Sequence, residues 1–249
     1  MPASFRVATY NIHKCRGLDR RVLPDRIAGV LRELDADVIA LQEVLSIEGG
    51  APEDDQASFI ASKLSGYSCH FGENRRLRGG AYGNVILSRL PATSVRNYDI
   101  TWRGREARGC LRADVIVPGG EALHIFNVHL GTAFIERRHQ ARRLLSLDVL
   151  RSDDITGPRI VVGDFNEWTA GLASRLMSRE FETVDLSRHI RRSRTYPGIL
   201  PLLHLDHFYF DGHLLLEAFS LHRTRRSLIA SDHLPMVAQF RLPAAESAA

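Results

Sequence analysis

Six short segments of this chain place carboxylate, imidazole or amide side chains at the ends of apolar runs. In chain order they are Thr9-Tyr10-Asn11, Leu41-Gln42-Glu43, Asn127-Val128-His129, Gly163-Asp164-Phe165-Asn166, Leu205-Asp206 and Ser231-Asp232-His233. Carboxylate and amide oxygens are hard ligands that suit Mg²⁺ or Mn²⁺, and a histidine beside a carboxylate suits proton transfer near neutral pH. One such segment alone is ordinary loop composition. Six of them in 249 residues indicate one shared site.

Strands and helices interchange along the whole chain, and the strands are the elements that must position these segments. Pro24 suits the first position of a helix, and Ile27, Val30, Leu31 and Leu34 form its apolar stripe. The spacing of apolar residues predicts helices at 24–34, 54–65, 134–151 and 170–180. It predicts strands at 5–12, 37–43, 67–72, 82–88, 93–101, 109–117, 122–130, 159–162, 205–210, 213–220 and 235–241.

Many strands with few helices, neither strictly alternating nor segregated, predict a layered α/β domain. Two sheets packed face to face, with helices outside, would bury this many apolar strands. Strand ends in such a domain are rigid, so polar side chains placed there can converge.

The composition fits a globular protein with a sizeable core, since 44% of the residues are hydrophobic and 25% are charged. The apolar runs are far shorter than the roughly 20 residues that span a bilayer, and the N-terminus lacks the apolar core of a signal peptide. A cytoplasmic location is therefore expected, with the three cysteines reduced. The net charge of +4 is compatible with an anionic partner. A monomer is assumed.

The ordered set of motifs resembles the endonuclease/exonuclease/phosphatase superfamily of DNase I-like and exonuclease III-like metal-dependent phosphohydrolases. The most specific parts are Gly163-Asp164-Phe165-Asn166 and Ser231-Asp232-His233-Leu234-Pro235, supported by Leu41-Gln42-Glu43-Val44 and by 82–88. The resemblance covers residues 5–241. It implies a four-layered α/β/β/α sandwich, formed by one catalytic domain over residues 1–242 with a frayed tail at 243–249. It also implies hydrolysis of phosphate esters.

Metal binding is assigned first to Glu43, with Asn11 supporting it and Asp232 completing the protein ligands. The resemblance implies the same role for Glu43, with Mg²⁺ or Mn²⁺ as the ion. A divalent ion would neutralise phosphate oxygens that otherwise repel a nucleophile. Whether one or two ions bind stays open.

Acid–base roles are assigned to two histidines and two aspartates. Asp206 would fix the ring of His233, as in the second half of a catalytic triad. Either His233 or Asp164 would act as the general base that aligns the attacking water. Asn166 would donate a hydrogen bond to a phosphate oxygen, and His129 would donate to the phosphate or protonate the leaving oxygen. No covalent intermediate is required, so direct in-line attack by water is expected.

Two further residues, Asn84 and Arg108, are candidates for substrate binding. Asn84 fits a turn ahead of a strand equally well, and Arg108 fits a surface position. The segment Tyr196-Pro197 resembles a recurring Thr-aromatic-Pro loop of bacterial relatives and would shape the mouth of the site.

Three substrate hypotheses remain. A nuclease would use arginine segments at 75–78, 103–112 and 188–194 on the phosphate backbone. A phosphodiesterase or phosphatase would act on a lipid headgroup, a nucleotide or a small metabolite. A catalytically inactive binding module ranks lowest, because Glu43 and the pair Asp232-His233 are both present. Val44 after the metal Glu, and the absence of a Trp-Asn element after Asn11, weaken a repair-endonuclease interpretation.

Overall fold

The computed structural model describes residues 4–167, 171–183, 195–197 and 204–243. The predicted arginine segment at 188–194 and tail residues 244–249 lie outside these ranges. The strands are β1 Ser4–Asn11, β2 Val38–Ser46, β3 Ser68–Leu77, β4 Gly80–Ser88, β5 Ala92–Asp99, β6 Gly109–Ile116, β7 Ala122–His129, β8 Arg159–Asp164, β9 Glu182–Thr183, β10 Asp206–Phe210, β11 Leu215–Leu221 and β12 Met236–Arg241. The helices are α1 Pro24–Leu34, α2 Gln56–Ser62, α3 Phe134–Leu144, α4 Leu172–Met177 and α5 Ser227–Ala230, with short 3₁₀ turns at His13–Cys15 and Pro52–Asp54.

The strands form two six-stranded sheets. The first sheet has the order β11-β12-β1-β2-β4-β3 and the second has the order β5-β6-β7-β8-β10-β9. Each sheet contains one parallel pair, β1 with β2 and β7 with β8, while all other described pairings are antiparallel. The two sheets are therefore built alike around a central parallel pair.

Three apolar clusters hold four layers together. One cluster fills the space between the sheets, with Val7 and Val38 facing Ile125 and Val162. A second packs α1 and α2 on the outer face of the first sheet. A third packs α3 and α4 on the outer face of the second sheet. Because the central strands are buried on both faces, they read as continuous apolar runs. The predicted α/β/β/α sandwich is confirmed.

The register of the strands brings the polar segments to one edge. Asn11 ends β1 opposite Gln42 of β2, and His129 ends β7 opposite Asp164 of β8. The antiparallel neighbour β10 begins at Asp206, which also pairs with Asp164. Similarly, β12 begins beside the end of β1, so Asp232 and His233 enter the same edge just before it.

A small polar network links the two sheets directly beneath this edge. The Gln42 amide donates to Asn127 Oδ1 at 2.7 Å and to Thr9 Oγ1 at 3.0 Å. The Asn127 amide donates to the carbonyls of Leu41 and Val85, both at 2.8 Å. These fully buried bonds fix how one sheet lies on the other, since each group would be left unsatisfied if the sheets shifted.

The predicted helix at 134–151 was too long. Helix α3 ends at Leu144, and the chain turns so that Leu150 N donates back to Leu144 O at 3.0 Å. Ser146 and Asp148 fall in this turn, and both residue types favour local hydrogen bonds over helix interiors. The apolar residues that suggested a longer helix, Val149 among them, reach the core through the turn.

Candidate active site

A cavity of about 460 Å³ opens at the edge where the polar strand ends meet. Seven of the ten predicted site residues line it, namely Glu43, Arg108, His129, Asp164, Asn166, Asp232 and His233. Two more, Asn11 and Asp206, contact lining residues from behind. The structure thus brings together residues separated by more than two hundred positions along the chain.

Asp164 lies at the centre of the site. Its Oδ2 accepts from Asn11 Nδ2 at 2.9 Å and lies 3.7 Å from Nε2 of both His129 and His233. Its Oδ1 accepts from the backbone N–H of Asn166 at 2.8 Å. Burial raises the pKa of Asp164 to about 7, with the nearby Asp206 carboxylate adding to burial and His233 opposing it. This carboxyl can therefore exchange a proton near neutral pH.

His233 is paired with Asp206. The ring Nδ1 lies 2.9 Å from Asp206 Oδ2, and both residues are buried. Burial disfavours a charged ring, but the carboxylates of Asp206 and Asp164 outweigh it and raise the pKa of His233 to about 10. Burial would raise the pKa of Asp206, but the charge of His233 and its hydrogen bond hold that pKa below its usual value. At neutral pH the pair is an imidazolium held by a carboxylate.

The pKa of His129 is shifted in the opposite direction to that of His233. Burial, reinforced by the positive charge of Arg108, lowers the pKa of His129 to about 3. Arg108 Nη1 lies 3.5 Å from His129 Nδ1, so Nδ1 is the side that faces a donor and Nε2 carries the proton. The ring is a neutral hydrogen-bond donor aimed towards Asp164.

Glu43 is held in an unusual backbone position. Its φ is +58°, at the irregularity between Leu41 and Val44 where β2 departs from regular pairing with β4. The predicted strand ended at Glu43, whereas β2 continues through this bulge to Ser46. Bulges re-aim side chains, and this one turns the Glu43 carboxylate into the cavity.

The contacts of Glu43 are a cation and an amide. Its carboxylate contacts the Lys14 ammonium through Oε2 and accepts from Asn11 Nδ2 through Oε1 at 3.3 Å. Burial raises the pKa of Glu43, but in the acid range where His129 is protonated its charge and that of Lys14 outweigh burial, and they hold the pKa of Glu43 well below its usual range. Glu43 is therefore an ionised carboxylate that a cation already contacts.

The donor set fits a divalent metal ion. Glu43 and Asp232 both line the cavity and supply carboxylate oxygens, the ligands that Mg²⁺ and Mn²⁺ prefer. Asn11 points its NH₂ at Glu43 and Asp164, while its Oδ1 accepts from His13 N at 3.0 Å. In this orientation the Asn11 amide positions the two carboxylates, and His13 N uses one of the two lone pairs of its oxygen.

A second possible metal group is Asp164, Asp206 and His233, whose potential ligand atoms lie within 4.8 Å of one another. In the structure His233 Nδ1 and Asp206 Oδ2 already contact each other at 2.9 Å, as a hydrogen-bonded pair does. The carboxylates of Glu43 and Asp232 remain the better pair.

Asn84 does not belong to this site. It lies within β4 with no exposed surface, and its amide donates to the carbonyls of Gly109 at 3.1 Å and Asn127 at 3.2 Å. Its prediction as a substrate-binding residue is corrected: Asn84 ties the first sheet to the second.

The structure adds Lys14 and Thr132, which lie in none of the predicted segments, to the cavity lining. It also places there Tyr82 of the segment 82–88, and Arg75 and Glu106 from the arginine segments 75–78 and 103–112. Tyr196 lies at the cavity with its ring 5.0 Å from that of His233. Lys14 follows the first motif by three residues, so its position was available from sequence. Arg75, Tyr82 and Glu106 come from strands and a loop whose pairing only the fold reveals.

Comparison with known proteins agrees with this geometry. A model of the Endonuclease/Exonuclease/phosphatase family matches residues 8–233, and the chain belongs to that family. The uncharacterized protein YbhP of Escherichia coli K12 is 32% identical over 252 residues, covering 96% of this chain and 97% of YbhP. None of the helices within the described ranges is long and apolar enough to cross a membrane.

Solved structures share the fold. An endonuclease/exonuclease/phosphatase from Beutenbergia cavernae superposes with a TM-score of 0.78 at 24% identity, covering 98% of this chain and 73% of that one. A mannosyl-6-phosphatase of Bacteroides thetaiotaomicron gives a TM-score of 0.75 at 16% identity, covering 95% and 99% of the two chains.

Proposed function

We propose that this protein hydrolyses phosphate esters with a divalent metal ion, Mg²⁺ or Mn²⁺, by direct in-line attack of water, and that phosphodiesters are its substrates. The observation that carries the proposal is the buried Asp164 carboxylate, which faces two histidines at 3.7 Å and is oriented by Asn11 and the Asn166 backbone.

Asp164 is the general base in this proposal. A carboxyl with a pKa of about 7 is ionised in a large fraction of molecules at neutral pH and can accept a proton from water. His233, with a pKa of about 10, keeps its proton at neutral pH and cannot fill that role. The imidazolium of His233 instead stabilises negative charge on the phosphate, while Asp206 keeps its ring in place.

Neutral donors complete the arrangement. His129 is neutral at pH 7 because its pKa is lowered, so its Nε2–H donates a hydrogen bond to the phosphate without adding positive charge to the site. Asn166 lines the cavity, and its side-chain amide donates to Leu130 O at 2.8 Å. Its second N–H is available for a phosphate oxygen. An ion held by Glu43 and Asp232 would neutralise the phosphate charge and polarise the ester.

The same site chemistry serves a nuclease and a phosphodiesterase or phosphatase of small molecules or lipid headgroups. The mannosyl-6-phosphatase relative supports a small phosphorylated substrate through its fold alone. A substrate panel of double-stranded DNA, abasic DNA, RNA, sphingomyelin and inositol phosphates separates these classes, and steep loss of binding with added salt would identify nucleic acid.

The proposal is tested with purified protein, Mg²⁺ or Mn²⁺, and bis-p-nitrophenyl phosphate. Hydrolysis is expected, and EDTA should abolish it. Asp164→Asn and His233→Gln should each lower kcat by about 10²–10⁴-fold, the usual range for acid–base groups. His213→Gln, which changes an exposed histidine outside the cavity, is the matched control and should retain full activity. Activity that survives EDTA, or that survives both site substitutions, would reject the assignment.

A further inference from the structure

One wall of the cavity carries three basic side chains grouped around an aromatic ring. The Arg75 guanidinium lies over the Tyr82 ring at 4.7 Å, and the Lys14 ammonium lies 5.7 Å from the same ring. Arg75 and Tyr82 are direct cross-strand partners in β3 and β4, so the stacking is set by strand pairing. Arg108 joins the group through Glu106, which contacts Arg75 at 2.5 Å and Arg108 at 3.1 Å. We call Lys14, Arg75, Arg108 and Tyr82 the basic wall.

The basic wall has unused hydrogen-bonding capacity. The Arg108 side chain is only 6% exposed, and its Nε has no hydrogen-bond partner among the described residues. The Nε of Arg75 is likewise buried without a partner there. Buried guanidinium N–H groups are normally satisfied, and oxyanions satisfy them best because two oxygens match the guanidinium fork.

The charge balance of the wall changes when a metal ion binds. Within the described ranges, Glu43 and Glu106 are the carboxylates that contact the three basic residues. Since Glu43 is the proposed metal ligand, an ion bound there would withdraw it from Lys14. Glu106 would then face three cations alone. This excess of positive charge matches a phosphate monoester, which carries about −1.5 to −2 charge near pH 7.

We propose that the basic wall is a second anion-binding subsite, and that the substrate carries a second phosphate beside the scissile phosphoester. This inference rests on the proposed function, because it assigns the scissile phosphate to the groups around Asp164. The cavity volume of about 460 Å³ lies within the roughly 300–1,000 Å³ typical of small-molecule sites and exceeds the needs of one phosphate group. The substrate class is thus a bisphosphorylated compound or a nucleotide with a neighbouring phosphate.

Equilibrium binding tests the subsite without turnover. Isothermal titration calorimetry is carried out on the Asp164→Asn protein with Mg²⁺ present throughout. It compares the affinity for thymidine 3′,5′-bisphosphate with that for thymidine 5′-monophosphate, and the affinity for pyrophosphate with that for inorganic phosphate. These pairs offer two spacings of the second phosphate. We expect at least one bisphosphate to bind about tenfold or more tightly than its monophosphate, and Arg75→Gln to remove most of that preference. Arg76→Gln is the matched control, because the neighbouring Arg76 is 74% exposed and pairs with Glu73 outside the cavity.

Hydrolysis provides an independent readout. If thymidine 3′,5′-bisphosphate is the preferred ligand, the wild-type protein should cleave its 5′-p-nitrophenyl ester with a higher kcat/KM than the ester lacking the 3′-phosphate. If pyrophosphate is the preferred ligand instead, its tighter binding relative to phosphate is the readout. Cleavage of the simple ester with no preference in either assay would overturn the subsite and leave the proposed function standing. An Arg75-dependent preference in binding, without cleavage of either ester, would retain the subsite and reject the proposed function. An equal effect of Arg75→Gln and Arg76→Gln would also overturn the subsite.

Discussion

Backbone strain is concentrated in the residues of the site. Five of the eight non-glycine residues with positive φ in the described ranges lie in the site or next to it: +46° at His13, +56° at Lys14, +56° at Cys15, +58° at Glu43 and +51° at Asn166. This region costs an L-residue roughly 1–2 kcal/mol, and among these types asparagine and histidine tolerate it best. The buried Cys15 side chain and a hydrogen bond from Gln56 Nε2 to Lys14 O at 2.8 Å hold the first three in place. Strain of this kind is typical of sites whose side chains must be aimed.

The strain at Lys14 can be measured by substitution. Glycine has no Cβ, so Lys14→Gly should be more stable than Lys14→Ala by about 1 kcal/mol in urea denaturation. The chain's other lysine, Lys63, has φ −90°, and there the order should reverse, with alanine more stable than glycine. The same order at both lysines would contradict the strained turn.

The His233–Asp206 pair predicts a pH dependence of stability. A raised histidine pKa contributes stability that is complete below the ordinary value of 6.5 and is lost as pH rises towards about 10. A lowered aspartate pKa contributes stability above its ordinary value of 3.8, which is lost on acidification. In EDTA, the difference in free energy of unfolding between wild type and Asp206→Asn should be largest between about pH 4 and 6.5.

Urea denaturation at pH 5.5, 7.5 and 9.5 measures this difference. It should shrink by more than roughly 1 kcal/mol across the range, since one pKa unit is worth about 1.4 kcal/mol. A difference that stays constant with pH would mean that the pair is not charged in the folded protein.

At the scale of elements, the close approach of β7 and β8 depends on Gly163. Its φ is +138°, and a Cβ added there would lie 1.9 Å from Val128 O. The next residue is Asp164, so any displacement of β8 moves the proposed base. We expect Gly163→Ala to destabilise the protein by about 2 kcal/mol or more and to reduce kcat. Gly119→Ala is the control: φ is +111° there, but the added Cβ meets nothing within 4 Å, so only the conformational cost remains. Equal losses in the two variants would show that strand approach is not limiting.

The elements were largely predictable from the sequence because their apolar patterns are strong. Helix α1 runs from Pro24 to Leu34 as predicted, with its proline at the first position. The α3 terminus was not predictable, because the apolar residues after Leu144 keep helical spacing while packing through a turn. Similarly, the bulge at Glu43 leaves no mark in the apolar pattern, since residues on both sides of it are buried.

The site was predictable to the extent that its residues stand in motifs at strand ends. Asp164, Asp206 and His233 are adjacent because parallel and antiparallel neighbours end together. Asn84 was offered as a substrate-binding residue, with a turn position as the equal alternative, but it lies within β4 and its side chain faces the opposite sheet. Arg75 and Glu106 lie in the arginine segments 75–78 and 103–112, but their contact was not predictable because it depends on how β3, β4 and the loop before β6 pack.

At the scale of the whole molecule, metal binding should stabilise the fold. The proposed ion would bind the folded protein alone, because Glu43 and Asp232 line one cavity only after folding. At 100 times Kd a ligand adds about 2.7 kcal/mol to the free energy of unfolding, so Mg²⁺ or Mn²⁺ should raise Tm by several degrees.

Differential scanning fluorimetry with EDTA, Mg²⁺ and Mn²⁺ tests this expectation. Glu43→Gln should fold and lose most of the shift, while Glu48→Gln, an exposed glutamate outside the cavity, should keep it. A shift of the same size in Glu43→Gln would place the ion elsewhere.

Each of the two sheets contributes residues to the site. Glu43 belongs to the first sheet, His129 and Asp164 belong to the second, and the buried Gln42–Asn127 bond joins the sheets beneath them. Any activity of the site should therefore depend on how the two sheets are aligned. A variant in which one sheet is shifted by a single residue relative to the other would keep its circular dichroism spectrum but would separate the site residues and lose any catalytic activity.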